Sequence, residues 1–272
     1  MGANPQYKDS MFVHLFREES AVRELYNALA GKHYNNRFSI TINTLQNVLY
    51  RGIKNDLSFL IDSRLIVLVE HQSSINPNMP IRFLLYLALL YSSLVDNRNF
   101  HRHGLFKIPR PEFLVLFNGQ ETQKEKWELT LSNAFMDMPS AFGGSLELVV
   151  PVWNINVGFN ADKVAASPLL QGYSIFVAKV REYELLMPRE DAILAAADYC
   201  VGKDILAEYL KKYRKEVQSM LLNELTNDDA VAAAREDGRE EGREEGQEVG
   251  QELFANRMCE LVSKGYSSNQ LQ

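Results

Sequence analysis

Residues 55–82 read NDLSFLIDSRLIVLVEHQSSINPNMPIR. Two apolar runs, LSFLI and LIVLV, are separated only by Asp62-Ser63-Arg64, the spacing of two strands joined as a hairpin. Asp56 stands at the start of the first run, and Glu70-His71-Gln72 closes the second. The hairpin therefore brings the carboxylates of Asp56 and Glu70 towards one another. Residues 65–69 are apolar without interruption, as expected of a strand covered on both faces. Glu70 breaks that run, and a carboxylate at the end of a buried strand is costly unless it is paired, hydrogen-bonded or bound to a metal.

Period-two alternation assigns the faces. Asp56, Ser58 and Leu60 share one, with Lys54 on the same face just before them. Glu70 and Gln72 share a face of their own strand, so Gln72 can reach a ligand held by Glu70. The His71 side chain points the other way, while its main-chain carbonyl is a candidate metal ligand. Hard Mg2+ or Mn2+ suits carboxylate, carbonyl and water oxygens. Asp at a strand start and Glu at a strand end are also common rim residues, so the spacing alone defines a candidate site and not yet a function.

Outward from the hairpin, the periodicity predicts one helix over 9–30 that stops at Gly31. Residues 38–45 and 48–53 read as extended. Asn78 or Pro80 opens a long apolar helix reaching about Val95. Arg82 and Tyr86 are four residues apart on it and share a face. Arg82 has two readings there, a phosphate contact or an ion pair with a nearby carboxylate. Residues 111–118 and 146–156 read as strands, with Pro151 marking an edge or a bulge. Trp127 and Trp153 read as packing residues, not stacking platforms for bases. From about Ser167 the pattern turns helical over PLLQGYSIFVAKVREYELL, DAILAAADYCV and ILAEYLKKYRKEVQSMLLNEL.

At 272 residues and 46% hydrophobic, the chain can bury a sizeable core and form one domain with an appendage. Cys200 and Cys259 have no partner spacing, which argues against a disulfide or a zinc site. MGANPQYKDS carries no secretory pattern, and the apolar run near Phe83–Leu90 is too short to span a bilayer. A cytoplasmic protein without membrane contact is expected. Residues 235–252 hold three Arg and eight Asp or Glu, a balance of −5 against −6 for the whole chain, so the body is nearly neutral. Such a body neither demands nor excludes phosphate binding. Arg98, His101, Arg102, His103, Lys107 and Arg110 form a local basic cluster, better read as a solvated turn than as a phosphate-contacting loop. Glycines at 238, 242, 246 and 250 give the tail a four-residue repeat. It reads either as a helix whose glycine stripe admits a second helix or as a frayed linker.

KDSMFVHLF, the block TLQNVLYRGIKNDLSFLIDSRLIVLVEHQSSINPNMPIRFLLYLALLY, and IPRPEFLVLFNG together resemble the Rpn family of recombination-promoting nucleases and PD-(D/E)XK nuclease family transposases. VWNINVGFN, YSIFVAKVREY and the glycine-glutamate tail extend the likeness over nearly the whole chain. The resemblance implies a restriction-endonuclease-like α/β fold with an αβββαβ core, a mixed sheet flanked by helices, and a helical C-terminal extension. It implies a core over 1–160, helices packed on it over 161–234, and a charged tail over 235–272. It further implies Mg2+- or Mn2+-dependent cleavage of DNA, with Asp56, Glu70 and Gln72 at the motif positions and the His71 carbonyl completing the metal shell. Lys54, Arg82 and Tyr86 become candidate DNA-contacting or supporting residues. Gln72 stands where the usual motif has Lys, which leaves open what stabilises the developing charge. The alternative is a nuclease-like fold that has lost cleavage and serves as a DNA-binding or assembly module. The tail is expected to be an assembly or tether element, through which copies of the chain could associate, and not part of catalysis.

Overall fold

The computed structural model describes residues 11–43, 56–95, 103–136 and 146–218, together with Glu236, Arg239 and Arg243. The chain divides into two compact units, Met1–Glu224 and Leu225–Gln272. The first is an α/β unit built on a six-stranded mixed sheet flanked by helices. Its strands are β1 (Ile40–Ile42), β2 (Leu57–Ile61), β3 (Leu65–Gln72), β4 (Arg110–Phe117), β5 (Lys126–Thr130) and β6 (Val149–Asn154), in the order β1-β2-β3-β4-β6-β5. β1, β2 and β3 form an antiparallel meander, β3, β4 and β6 run parallel, and β5 returns antiparallel to β6.

The hairpin turn is as short as its sequence requires. Asp62 and Ser63 both take positive φ, 50° and 53°, and the Arg64 N–H closes the turn on the Ile61 carbonyl. Two successive left-handed residues match the twist of the flanking strands. The Asp62 carboxylate also accepts from the Ser39 N–H, tying the turn to the start of β1.

β3 is covered on both faces, with residues 66–70 all buried. Ile66 and Leu68 join Leu60, Val115, Phe117, Val150 and Val152 in a core closed by α3 (Met79–Leu94). Asn78 precedes α3, Pro80 sits in its first turn, and Met79, Phe83, Tyr86 and Leu90 repeat at helical spacing on the buried stripe. The opposite face of β3 meets Phe12 of α1 (Met11–Leu15) and Tyr173 of α5 (Pro168–Glu184) through His71.

The single helix expected over 9–30 is two helices. α1 ends at Leu15, and α2 runs from Glu19 to Ala30 after Glu18 adopts an extended backbone. The polar run Arg17-Glu18-Glu19-Ser20 offers no apolar stripe to carry one helix across, and Glu19 is favoured in the first turn of the second. Gly31 ends α2 in the left-handed conformation, φ 61°. β5 is absent from the sequence reading; its short K-W-E-L-T alternation turns Trp127 and Leu129 towards the core. Pro151 is not on an edge strand, since β6 lies between β4 and β5. The ladder to β4 begins only at Val152, so Pro151 sits where that side of β6 is locally unpaired. α4 (Ala161–Ala165), α5, α6 (Arg189–Gly202) and α7 (Ala207–Lys212) follow. The helix expected over 205–225 breaks at Tyr213, and 214–218 is helical again. The segment 48–53 lies outside the described residues. Among the described residues, no helix is long and apolar enough to cross a membrane.

Candidate functional site

The β2–β3 register pairs Leu57 with Val69, so one further step sets Asp56 across from Glu70. Their carboxylates interlock through the main chain. The Asp56 N–H donates to Glu70 Oε1 (3.1 Å), and the His71 N–H donates to Asp56 Oδ2 (2.7 Å). Glu70 is only 2% exposed, whereas Asp56 keeps some contact with solvent. Arg82 reaches over from the first turn of α3 and donates from Nη2 to Glu70 Oε2 (2.9 Å). Of the two readings of Arg82, the ion pair is present. Tyr86, one turn on, accepts from both Nε (3.0 Å) and Nη2 (2.7 Å) of the same guanidinium.

Two acids therefore face one cation in a poorly solvated place. Burial pushes the Glu70 carboxyl well above the usual range, and the Asp56 charge pushes it further, against the pull of Arg82. Burial also raises Asp56, opposed by the His71 N–H and by Arg82. Burial works against the charge on Arg82, but Glu70 and Tyr86 hold its proton more firmly than usual. The Tyr86 phenol is pushed up to about 12, first by burial and then by Glu70, and so stays protonated.

Gln72 lies on the face of Glu70, but its amide donates to the sulfur of Met79. His71 points to the other face. Its ring stacks on Phe12 (centroids 4.8 Å apart, planes 13° apart), and its Nε2 lies 3.1 Å from the Tyr173 hydroxyl. Burial, with Arg181 nearby, lowers its pKa to about 3, so the ring is neutral. Asn118 Nδ2 donates in turn to the Tyr173 hydroxyl (3.3 Å), and Arg181 donates to the Asn118 carbonyl. Sequence reading missed Tyr173, Asn118 and Arg181. Asn118 directly follows β4 and the other two lie on α5, all 46 or more residues from Gln72, and only the fold gathers them at the end of β3.

Lys54, and Arg98, His101 and Arg102 of the basic cluster, lie outside the described residues; His103, Lys107 and Arg110 are exposed. Trp127 packs edge-on to Phe117 (5.3 Å), and Trp153 carries the Lys126 ammonium 5.1 Å from its ring centre. Cys200 is buried, its thiol pushed up to about 11 by burial.

Among the described residues, no group of three or more His, Cys, Asp or Glu gathers as a metal site. Two carboxylates are donors of the kind a hard dication takes. A carboxylate oxygen accepts from more than one direction, so an existing hydrogen bond does not use up a ligand. Both acids are pushed towards their protonated forms, and a dication in the proton's place would offset the repulsion between their charges. No protein-family model matches the chain, nor does any curated protein or solved structure.

Proposed function

We propose that the chain is a metal-dependent DNA endonuclease with a PD-(D/E)XK core, of the recombination-promoting, transposase-associated type. The observation that carries this reading is the Asp56–Glu70 pair, held across the end of a hairpin register with Arg82 as its cation. Two further features support it. The order α2-β1-β2-β3-α3-β4 is an αβββαβ series, and the residues sit in segments that resemble the Rpn family.

Asp56, Glu70 and the His71 main-chain carbonyl would hold Mg2+ or Mn2+. Such an ion lowers the pKa of bound water and offsets charge on a phosphate. The chain's own residues do the rest. The His71 N–H fixes the Asp56 carboxylate, and the Asp56 N–H fixes Glu70. Gln72 brings no charge, and Arg82 supplies the permanent cation that the motif's usual Lys would bring. Tyr86 steers that guanidinium, and the planar fork of Arg suits a phosphate as well as a carboxylate. Incubation of supercoiled plasmid with the purified protein and Mg2+, Mn2+ or EDTA tests the reading. Nicking that depends on metal supports it.

A second reading, a nuclease-like DNA-binding or assembly module without cleavage, is favoured by Gln72. Its amide is directed to Met79 and its position lacks the usual cation. DNA retention without nicking under any metal would select that alternative.

A further inference from the structure

β3, β4 and β6 are parallel, so their carboxyl ends lie together: Gln72 pairs with Phe117, and Phe117 pairs with Asn154. Ligands of open α/β sheets gather outside this end of the strands. Past the ends of β4 and β6 lies a cavity of about 380 Å3 between the 119–123 loop, the 156–159 loop and α5. A cavity of this size is within the range that small ligands fill.

Its lining is selective. Gln120, Thr122, Gln123 and Asn156 present amides and a hydroxyl, Phe159 gives an apolar wall, and Arg181 supplies a positive charge. Among the described residues that line it, none is acidic, although the chain has 35 Asp and Glu. The acids nearest in sequence are engaged elsewhere: Glu121 accepts from the Ile75 N–H (2.8 Å) and Glu125 from the Asn160 N–H (2.9 Å).

The hollow is also fixed in place. Arg181 donates to the Asn118 carbonyl and to Asn156 Oδ1 (2.9 Å), which orients its guanidinium. The Asn156 amide donates to the Gly119 carbonyl (2.8 Å) and joins the two loops. Gly119 passes so close to the exit of β3 that a Cβ would stand 1.9 Å from the Ser73 carbonyl oxygen. The 119–123 loop is thereby tied to the strand that carries Glu70.

We infer that this hollow is a subsite for one nucleotide of a DNA strand, with Arg181 facing its phosphate and the amide side chains meeting its sugar and base. The inference rests on the nuclease reading and adds to it a second place where a strand is held.

Amide NMR spectra of the full chain, titrated without metal, test the subsite independently of cleavage. The probe is deoxycytidine 5′-monophosphate, compared with deoxycytidine and with inorganic phosphate. Shifts confined to residues 119–123 and 156–159, with either fragment alone binding more weakly, are expected. Gln123→Ala, at the lining and outside the Arg181 network, should weaken the nucleotide about tenfold, the loss of one good polar contact. Arg181→Gln should weaken nucleotide and phosphate alike. No shifts at these loops, or Gln123→Ala binding as tightly as wild type, would overturn the subsite. Phosphate binding as tightly as the nucleotide would reduce the hollow to an anion site and overturn the assignment as well. Nucleotide binding here by a protein that never nicks DNA would uphold the subsite and remove the nuclease reading. Metal-dependent nicking with an unchanged KM for DNA in both variants would do the reverse.

Discussion

Glu70 bears the greatest electrostatic burden among the described site residues: it is buried, opposite a second carboxylate, and answered by one guanidinium. Removing one partner of a buried pair leaves the other charge without compensation, at about 3–5 kcal/mol when both are fully buried. The Arg82 side chain is 38% exposed, so solvent screens part of this. Arg82→Ala should therefore lower unfolding free energy by about 1–3 kcal/mol in urea titrations. Glu70→Gln in the same background should recover most of the loss, and a double variant no more stable than Arg82→Ala would contradict the account. His71 gives a pH dependence with a definite sign. The unfolded chain takes up its proton near the ordinary 6.5, while the folded chain resists down to about 3. The stability from neutral His71 is thus complete above about 6.5 and is lost as pH falls towards 3. His71→Phe keeps the stack on Phe12 and cannot titrate, so its stability should fall less steeply than wild type between pH 6 and pH 4, roughly the window between the two values. Parallel slopes would show that His71 protonates freely in the folded chain. At this scale the pair Asp56 and Glu70 was legible because a hairpin fixes its own register. Tyr173 was not, because its hydroxyl meets His71 only through tertiary packing.

The hairpin, α3 and β4 are elements whose sequences declare them: an uninterrupted apolar strand, a Pro at a helix start, an apolar run closed by Asn118-Gly119. Where local pattern and tertiary demand diverged, the reading failed. One apolar period runs through residues 12–29, yet four polar residues at 17–20 interrupt the helix. β5 is five residues long, and its pairing with β6 supplies what its short alternation cannot. The tight turn between β2 and β3 holds a residue that its geometry does not favour. Ser63 has φ 53°, where an L side chain is strained, while Asp62 earns its place by accepting from Ser39. Ser63→Gly should therefore stabilise the protein by about 1 kcal/mol, with Asp62 retained. Thermal unfolding followed by circular dichroism would register this as a higher Tm. An unchanged or lower Tm would mean that the left-handed pair is not under strain.

At the scale of the molecule, the sheet and helices α1–α7 belong to the unit Met1–Glu224. A chain ending at Glu224 should keep one cooperative thermal transition, and a broad or absent transition would show that residues beyond it complete the core. In the tail, Glu236, Arg239 and Arg243 are helical and exposed. If its glycine stripe pairs helices, the shortened chain should also show fewer copies per particle by light scattering. The central claim concerns the carboxylate pair, and one measurement meets it directly: metal-dependent DNA cleavage by folded wild type, Glu70→Ala and Gln72→Lys, with circular dichroism confirming the fold of each. Loss of a metal-centred contact of this kind costs about a hundredfold or more in rate. Wild type should nick DNA with Mg2+ or Mn2+, Glu70→Ala should lose that activity, and Gln72→Lys should keep or alter it. Glu70→Ala cutting as fast as wild type, with the same dependence on metal, would contradict the account.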